Sequence, residues 1–216
     1  RAEEGEAETF MDIEGIRGVA DLVEEDDGEY ILTDYKVVGS FAVAKMLGIG
    51  EVGEKDVLDQ DGNPVLYVRG PKRGQPKTEK VYGMDSRKAD TTQYQVQPNL
   101  YRIAWETKNP GKKVSKIRIC AIVRDGGLYI AKSRGVTENV YNIDIPIMED
   151  ELLKQWATRR RTMIEEAMAQ EILPPVGNTV ETWGGAYCKS YCPVKDACAA
   201  AGDNPWLGGS SETVQE

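Results

Sequence analysis

Histidine is missing altogether from this chain of 216 residues. Its absence removes Ser-His-Asp catalysis, histidine general bases and histidine metal ligation, leaving carboxylates, lysine, tyrosine and cysteine for any chemistry. No run of about 18 apolar residues occurs, so the sequence predicts no membrane-spanning helix. The opening "RAEEGEAE" is acidic and has no apolar centre, so it reads as neither a signal nor a transit peptide. With Arg1 in place of a methionine, the natural chain is expected to begin further upstream. There is no internal repeat. Cysteine is scarce: four in all, three of them within eleven residues near the C-terminus. Such bunching suits a metal site better than a disulfide framework, and a cytoplasmic setting is the expectation.

Positive charge is in deficit, with 27 Lys and Arg against 36 Asp and Glu and a net charge of −9. That balance argues against indiscriminate coating of nucleic acid but leaves room for a focused site. Basic residues gather in "RGPKRGQPK" at 69–77, "KNPGKK" at 108–113 and "RRR" at 159–161. Each could touch a phosphate backbone or form a solvated surface. The length and the 40% hydrophobic content suit one substantial domain.

Along the chain, "TFMDIEG", "IRGVADLVE" and "EYILTDYKVV" read as three consecutive antiparallel strands, the last two joined by the turn "EDDG". "GSFAVAKMLGIG" predicts a short helix stopped by glycine. Residues 37–92 hold that helix and a polar, Gly- and Pro-rich excursion with one strand, "PVLYVRG", read as a hairpin-like arm. Helical periodicity resumes over 90–113, with Pro98 marking either a kink or the start of the regular helix. "KIRICAIVRDGGLYIAKS" reads as strand, glycine turn and second strand, and "VYNIDIPIM" as another strand. Residues 149–172 predict the longest helix, with an apolar face of Leu152, Leu153, Trp156, Met163, Ile164, Ala167 and Met168. The organisation is α/β or α+β around one central sheet, covered on both faces because its strands are apolar on both. Residues 1–187 form the core, 188–204 a Cys-rich segment of the same domain, and 205–216 a flexible tail.

The strand "ILTDYKVV" places Asp34 and Lys36 on one face, and the preceding strand carries Asp21 on a face with Val19 and Val23. Two readings follow. Either Asp34 and Lys36 form a structural ion pair while Asp21 faces solvent, or a hairpin register brings Asp21 beside Asp34. In the second case two carboxylates repel unless a cation joins them, and one or two carboxylates with waters and a substrate phosphate suit Mg²⁺. Gln97 and Tyr101, four apart, would share a helix face.

In order, "GVAD", "TDYK" and "QPNLY" resemble the G-x-x-D, (D/E)-x-K and Q-x-x-x-Y motifs of the RecB-like branch of the PD-(D/E)xK nucleases. The resemblance implies a restriction-endonuclease-like fold, a mixed central sheet flanked by helices, with a C-terminal Cys-rich metal-binding segment. It implies a metal-dependent DNA nuclease, expected to be an exonuclease on single-stranded DNA or duplex ends, with a helicase, recombinase or CRISPR partner. Asp21, Asp34 and the Tyr35 carbonyl would hold Mg²⁺ or Mn²⁺, Lys36 would assist the attacking water, and Gln97 and Tyr101 would border the site. A rival reading is a non-catalytic, metal-stapled module that binds DNA or protein.

Cys188, Cys192 and Cys198 form a C-x₃-C-x₅-C pattern, dense enough for zinc or an iron-sulfur cluster. Cys120 lies in a strand, where it reads as a small core hydrophobe. In the iron-sulfur nucleases that the chain resembles, a fourth cysteine lies upstream of the first aspartate and completes a 4Fe-4S cluster. This sequence has none there. Zinc with an outside ligand is the alternative.

Overall fold

The computed structural model describes residues 6–13, 15–179, 181–202 and 204–207. They divide into two compact units, the described parts of Arg1–Met11 with Gly18–Ile147, and of Asp12–Arg17 with Met148–Glu216.

The first unit is mixed α/β. Its sheet takes strands β1 (Glu6–Ile13), β2 (Ile16–Asp26), β3 (Glu29–Val38), β6 (Val114–Val123) and β7 (Val140–Ile145), in the order β1-β2-β3-β6-β7. β2 and β3 run antiparallel, β3 and β6 parallel, and β6 and β7 antiparallel, so the sheet is mixed. A parallel pair needs a long crossover. Here the crossover contains helices α1 (Ser40–Leu47) and α2 (Val96–Lys108) and the hairpin β4 (Ile49–Asp56) with β5 (Thr78–Met84). α1 packs on β6 and β7, and α2 on β3 and β6.

Four consecutive residues of β3, Ile31 to Asp34, are buried, as a strand covered on both faces requires. On one face Leu32 meets the Ile117 and Ile119 rows of β6, and α2 adds Leu100, Ile103 and Trp105, whose ring lies 4.9 Å from that of Tyr30. On the other face Arg118 satisfies the buried Thr33 hydroxyl at 2.8 Å and reaches across to Glu24. Cys120, paired with Tyr35 and Asn142, is half-buried on that second face.

α1 has no side-chain cap of its own at Gly39. Asp125, from the turn after β6, supplies one: its carboxylate accepts from the Ser40 amide at 2.6 Å and the Ser40 hydroxyl at 2.7 Å. Those hydrogen bonds hold the Asp125 carboxyl below its ordinary range.

Two expectations need correction, and one open alternative is decided. "PVLYVRG" is no strand: only isolated bridges, Leu58 to Pro64 and Leu66 to Pro76, form there, because Pro64, Pro71 and Pro76 donate no ladder hydrogen bonds. The hairpin arm itself exists, built from β4 and β5. "LYIAKS" is not a second strand but a helical turn, α3 (Tyr129–Lys132). The free edge of β6 is taken by β7, with Ile122 opposite Val140, so the strand-forming run 128–130 finds no partner there. Pro98 starts the regular helix rather than kinking one, since it falls in the first turn of α2, where the missing N–H has no intrahelical partner.

The second unit contains α4 (Asp150–Ala169), α5 (Ala186–Ser190) and α6 (Lys195–Ala201). The apolar face expected of α4 is wider than the stripe it buries. Leu153, Ala157 and Ala167 are buried and span an arc of about 80° at helical spacing, whereas Leu152 and Met168 flank it and stay in water. The expected strand at 9–15 includes Glu14, and the expected tail includes 208–216; these positions lie outside the described residues. Among the described residues no helix is long and apolar enough to cross a membrane.

Candidate active site

The register of β2 on β3 pairs Leu22 with Thr33 and Val23 with Leu32. One step further the backbone ladder stops and a side chain takes over: Asp21 Oδ2 accepts the Tyr35 amide at 2.7 Å. The strands thus part at the point where the two aspartates stand, and Asp21 is held half-buried across from Asp34 rather than facing solvent.

Asp34 is only 1% exposed. Lys36 Nζ stands 3.1 Å from its Oδ1, to which it donates, and 2.9 Å from Oδ2. The ammonium pairs with Oδ2 by charge, and that oxygen is sealed from solvent and accepts no hydrogen bond among the described residues. Burial pushes the Asp34 carboxyl above the ordinary carboxylate range; Lys36 pulls it back, and the negative charge of Asp21 pushes it up.

Lys36 is 28% exposed and donates a second hydrogen bond, at 3.1 Å, to Gln97 Oε1 on α2. Gln97 Nε2 in turn donates to the Tyr101 hydroxyl at 2.8 Å, as side chains four apart on a helix can. Tyr101 then lies against the backbone of Gly18: a Cβ built there would be 2.4 Å from Tyr101 Cε1 and 2.7 Å from its hydroxyl. Only glycine admits this ring. The chain Asp34, Lys36, Gln97, Tyr101, Gly18 is therefore continuous in space, with Asp21 anchored beside it through Tyr35.

Gly18→Ala is expected to push Tyr101 aside and to cost about 1–3 kcal/mol of stability, the usual range for overpacking. In a Tyr101→Ala background the same substitution should cost far less. Urea denaturation of the two pairs measures both costs, and equal costs would mean that the ring and the glycine are not coupled.

Tyr94 was not singled out in the sequence. Burial pushes its hydroxyl up, against the opposing charges of Lys45 and Lys36, so its ring belongs to the surroundings of Lys36. Its signal was its place three residues before Gln97, in "QYQVQ".

A hard cation fits this pocket on its donor chemistry, with two carboxylates, of which Asp34 keeps a buried Oδ2 that accepts no hydrogen bond among the described residues. Among the described residues no three carboxylates or cysteines gather so as to hold a metal, so the side chains offer two ligands and leave the rest to backbone, water and substrate.

The three C-terminal cysteines lie in the second unit. Cys188 is buried, Cys192 and Cys198 are half-buried, and Cys198 Sγ accepts from Asn204 Nδ2 at 3.1 Å. They do not converge on one point. As they stand they do not form a cluster's ligand set, and a metal there rests on their spacing alone.

Compared with protein-family models, with curated proteins and with solved structures, the chain gives no significant match. The class of the protein therefore rests on its residues and their geometry.

Proposed function

We propose that the chain is a Mg²⁺- or Mn²⁺-dependent deoxyribonuclease of restriction-endonuclease-like fold, in the RecB-like branch of the PD-(D/E)xK nucleases. It acts as an exonuclease on single-stranded DNA or duplex ends, in the cytoplasm, alongside a helicase, recombinase or CRISPR partner. The observation that carries the reading is the convergence of Asp21, Asp34, Lys36, Gln97, Tyr101 and Gly18 in one hydrogen-bonded and packed array. A structural ion pair would require Asp34 and Lys36 alone. It gives no reason for a glutamine 61 positions away to orient the lysine, or for a tyrosine to orient the glutamine.

Asp21, Asp34 and the Tyr35 carbonyl would hold the divalent ion. When bound, it supplies Lewis acidity that polarises the scissile phosphate and acidifies a water. Lys36 donates to the water or to a phosphate oxygen and stabilises the negative charge that develops as the P–O bond breaks. Gln97 keeps the lysine aimed, and Tyr101 keeps the glutamine aimed. The test is metal-dependent degradation of linear DNA, with loss of activity in Lys36→Ala as the expected result.

The three cysteines are included in the proposal as ligands of a 4Fe-4S cluster, or of zinc, on the strength of their C-x₃-C-x₅-C spacing. Elemental analysis of the purified protein should find iron or zinc, and Cys192→Ser should lower it and the melting temperature together. Metal-free protein of unchanged stability in the variant would remove the cluster from the proposal.

A further inference from the structure

The β4–β5 arm carries two kinds of lysine. At its base the charges are neutralised: Lys55 pairs with Glu79 at 3.0 Å and Lys80 with Glu51 at 2.6 Å. At its tip they are not. Arg69, Lys72, Arg73 and Lys77 form no ion pair among the described residues, and residues 69–77 contain no acid. The two tip acids, Asp59 and Asp61, lie on the neighbouring turn, where Asp59 is engaged with the Asp61 and Asn63 amides. In a chain of net charge −9, four unneutralised cations on one loop are a local reversal of sign.

The loop is built rather than loose. Tyr67 N donates to Gln75 O at 2.9 Å and Gly74 N to Tyr67 O at 2.8 Å, while Arg73 N reaches Gly70 O at 3.1 Å. Tyr67 is the centre of the tip: Lys72 and Lys77 both place their ammonium groups 5.9 Å from its ring. The base is fixed to the core. The Tyr82 hydroxyl donates to Ser133 O, and Gly135, at φ +75°, lies so close to Tyr82 and Ile49 that a Cβ would come within 2.5 Å of the former. A charged tip on an anchored stem costs little ordering entropy when it meets a ligand.

We propose that the arm tip is a nucleic-acid backbone clamp. Arg69, Lys72, Arg73 and Lys77 bind successive phosphates, and the Tyr67 ring offers a face for a base or sugar between them. Unpaired cations around an aromatic ring are the combination that tracks a phosphate chain without reading sequence. The inference rests on the reading of DNA as substrate and assigns the arm a grip on it separate from the catalytic residues.

The test is fluorescence anisotropy of a labelled single-stranded oligodeoxynucleotide and of the matching duplex, in EDTA so that nothing is cleaved, over a salt series. Replacing the four tip cations by alanine is expected to weaken binding on the order of tenfold or more, and to lower the slope of log K against log salt by about 3 to 4. Lys55→Ala with Lys80→Ala, at the paired base, should leave both nearly unchanged. The tip is exposed, and circular dichroism checks that its variant folds. Unchanged affinity and slope in the tip variant overturn the proposal, as does a wild-type chain that binds neither DNA. If binding falls in the tip variant but the wild type cleaves no DNA with Mg²⁺ or Mn²⁺, the clamp stands and the nuclease reading fails. If Lys36-dependent cleavage is found and the tip variant binds and cleaves as wild type, the reverse holds.

Discussion

Lys36→Ala is expected to lower metal-dependent degradation of linear DNA by about 10² to 10³ or more, the range for removing one donor aimed at developing charge. The size follows from the lysine's position. Among the described residues it is the one cation hydrogen-bonded to Asp34, and its other hydrogen bond, to Gln97, holds it at the point where the β2–β3 ladder gives way. Gln97→Ala should lose less, because it removes the support and leaves the charge. Lys36→Arg, whose planar fork does not reproduce a compact ammonium, should rescue poorly. Equal cleavage by wild type and Lys36→Ala would end the assignment of this site.

The second large effect is on stability. Saturating Mn²⁺ at about 100 times its dissociation constant should stabilise the folded chain by about 2.7 kcal/mol, a rise in melting temperature of about 5–11 °C for a chain of this size. Asp34→Asn should abolish that response. Without metal the sign reverses. Burial raises the folded pKa of Asp34 above its ordinary value of 3.8, so the folded chain holds this proton more tightly than the unfolded one. Its favourable contribution is fully present below the ordinary value and is lost as pH rises through the raised one. At neutral pH the buried carboxylate is thus a cost that asparagine escapes, while Lys36 keeps Gln97 and some solvent. The metal-free variant should therefore melt higher than wild type at neutral pH, and the gap should close as pH falls. A lower melting temperature would mean that the ion pair outweighs desolvation. An undiminished Mn²⁺ shift would take Asp34 out of the metal site.

Much of the site was legible because its grammar is local. Period two puts Asp34 and Lys36 on one face, period 3.6 puts Gln97 above Tyr101, and the short turn at Asp27 and Gly28 sets the register that brings Asp21 across from Asp34. What escaped depends on distant partners. That "LYIAKS" would not be a strand depended on β7 taking the edge of β6. The Asp125 cap on α1 joins residues 85 apart, with no spacing signal. The excess apolar residues of α4 could not be sorted from its buried stripe by periodicity, since that reports the direction of a side chain and not the width of what covers it. The cysteine spacing was plain, but spacing alone does not bring three sulfurs to a point.

The parallel pairing of β3 with β6 has a consequence in time. Thr33 meets Arg118 across 85 residues, and at ribosomal rates of roughly 5–20 residues per second that interval is about 4 to 17 s. During it the strand bearing Asp34 and Lys36 has left the ribosome with one sheet neighbour and one bare edge. β2 and β3 can close early as a hairpin, but the carboxylate cannot be walled off until β6 arrives, and until then α2 has only β3 of the two strands it packs on. The nascent hairpin thus carries its acidic pair in water on that bare edge. The array closes only once the last wall of its core has been synthesised.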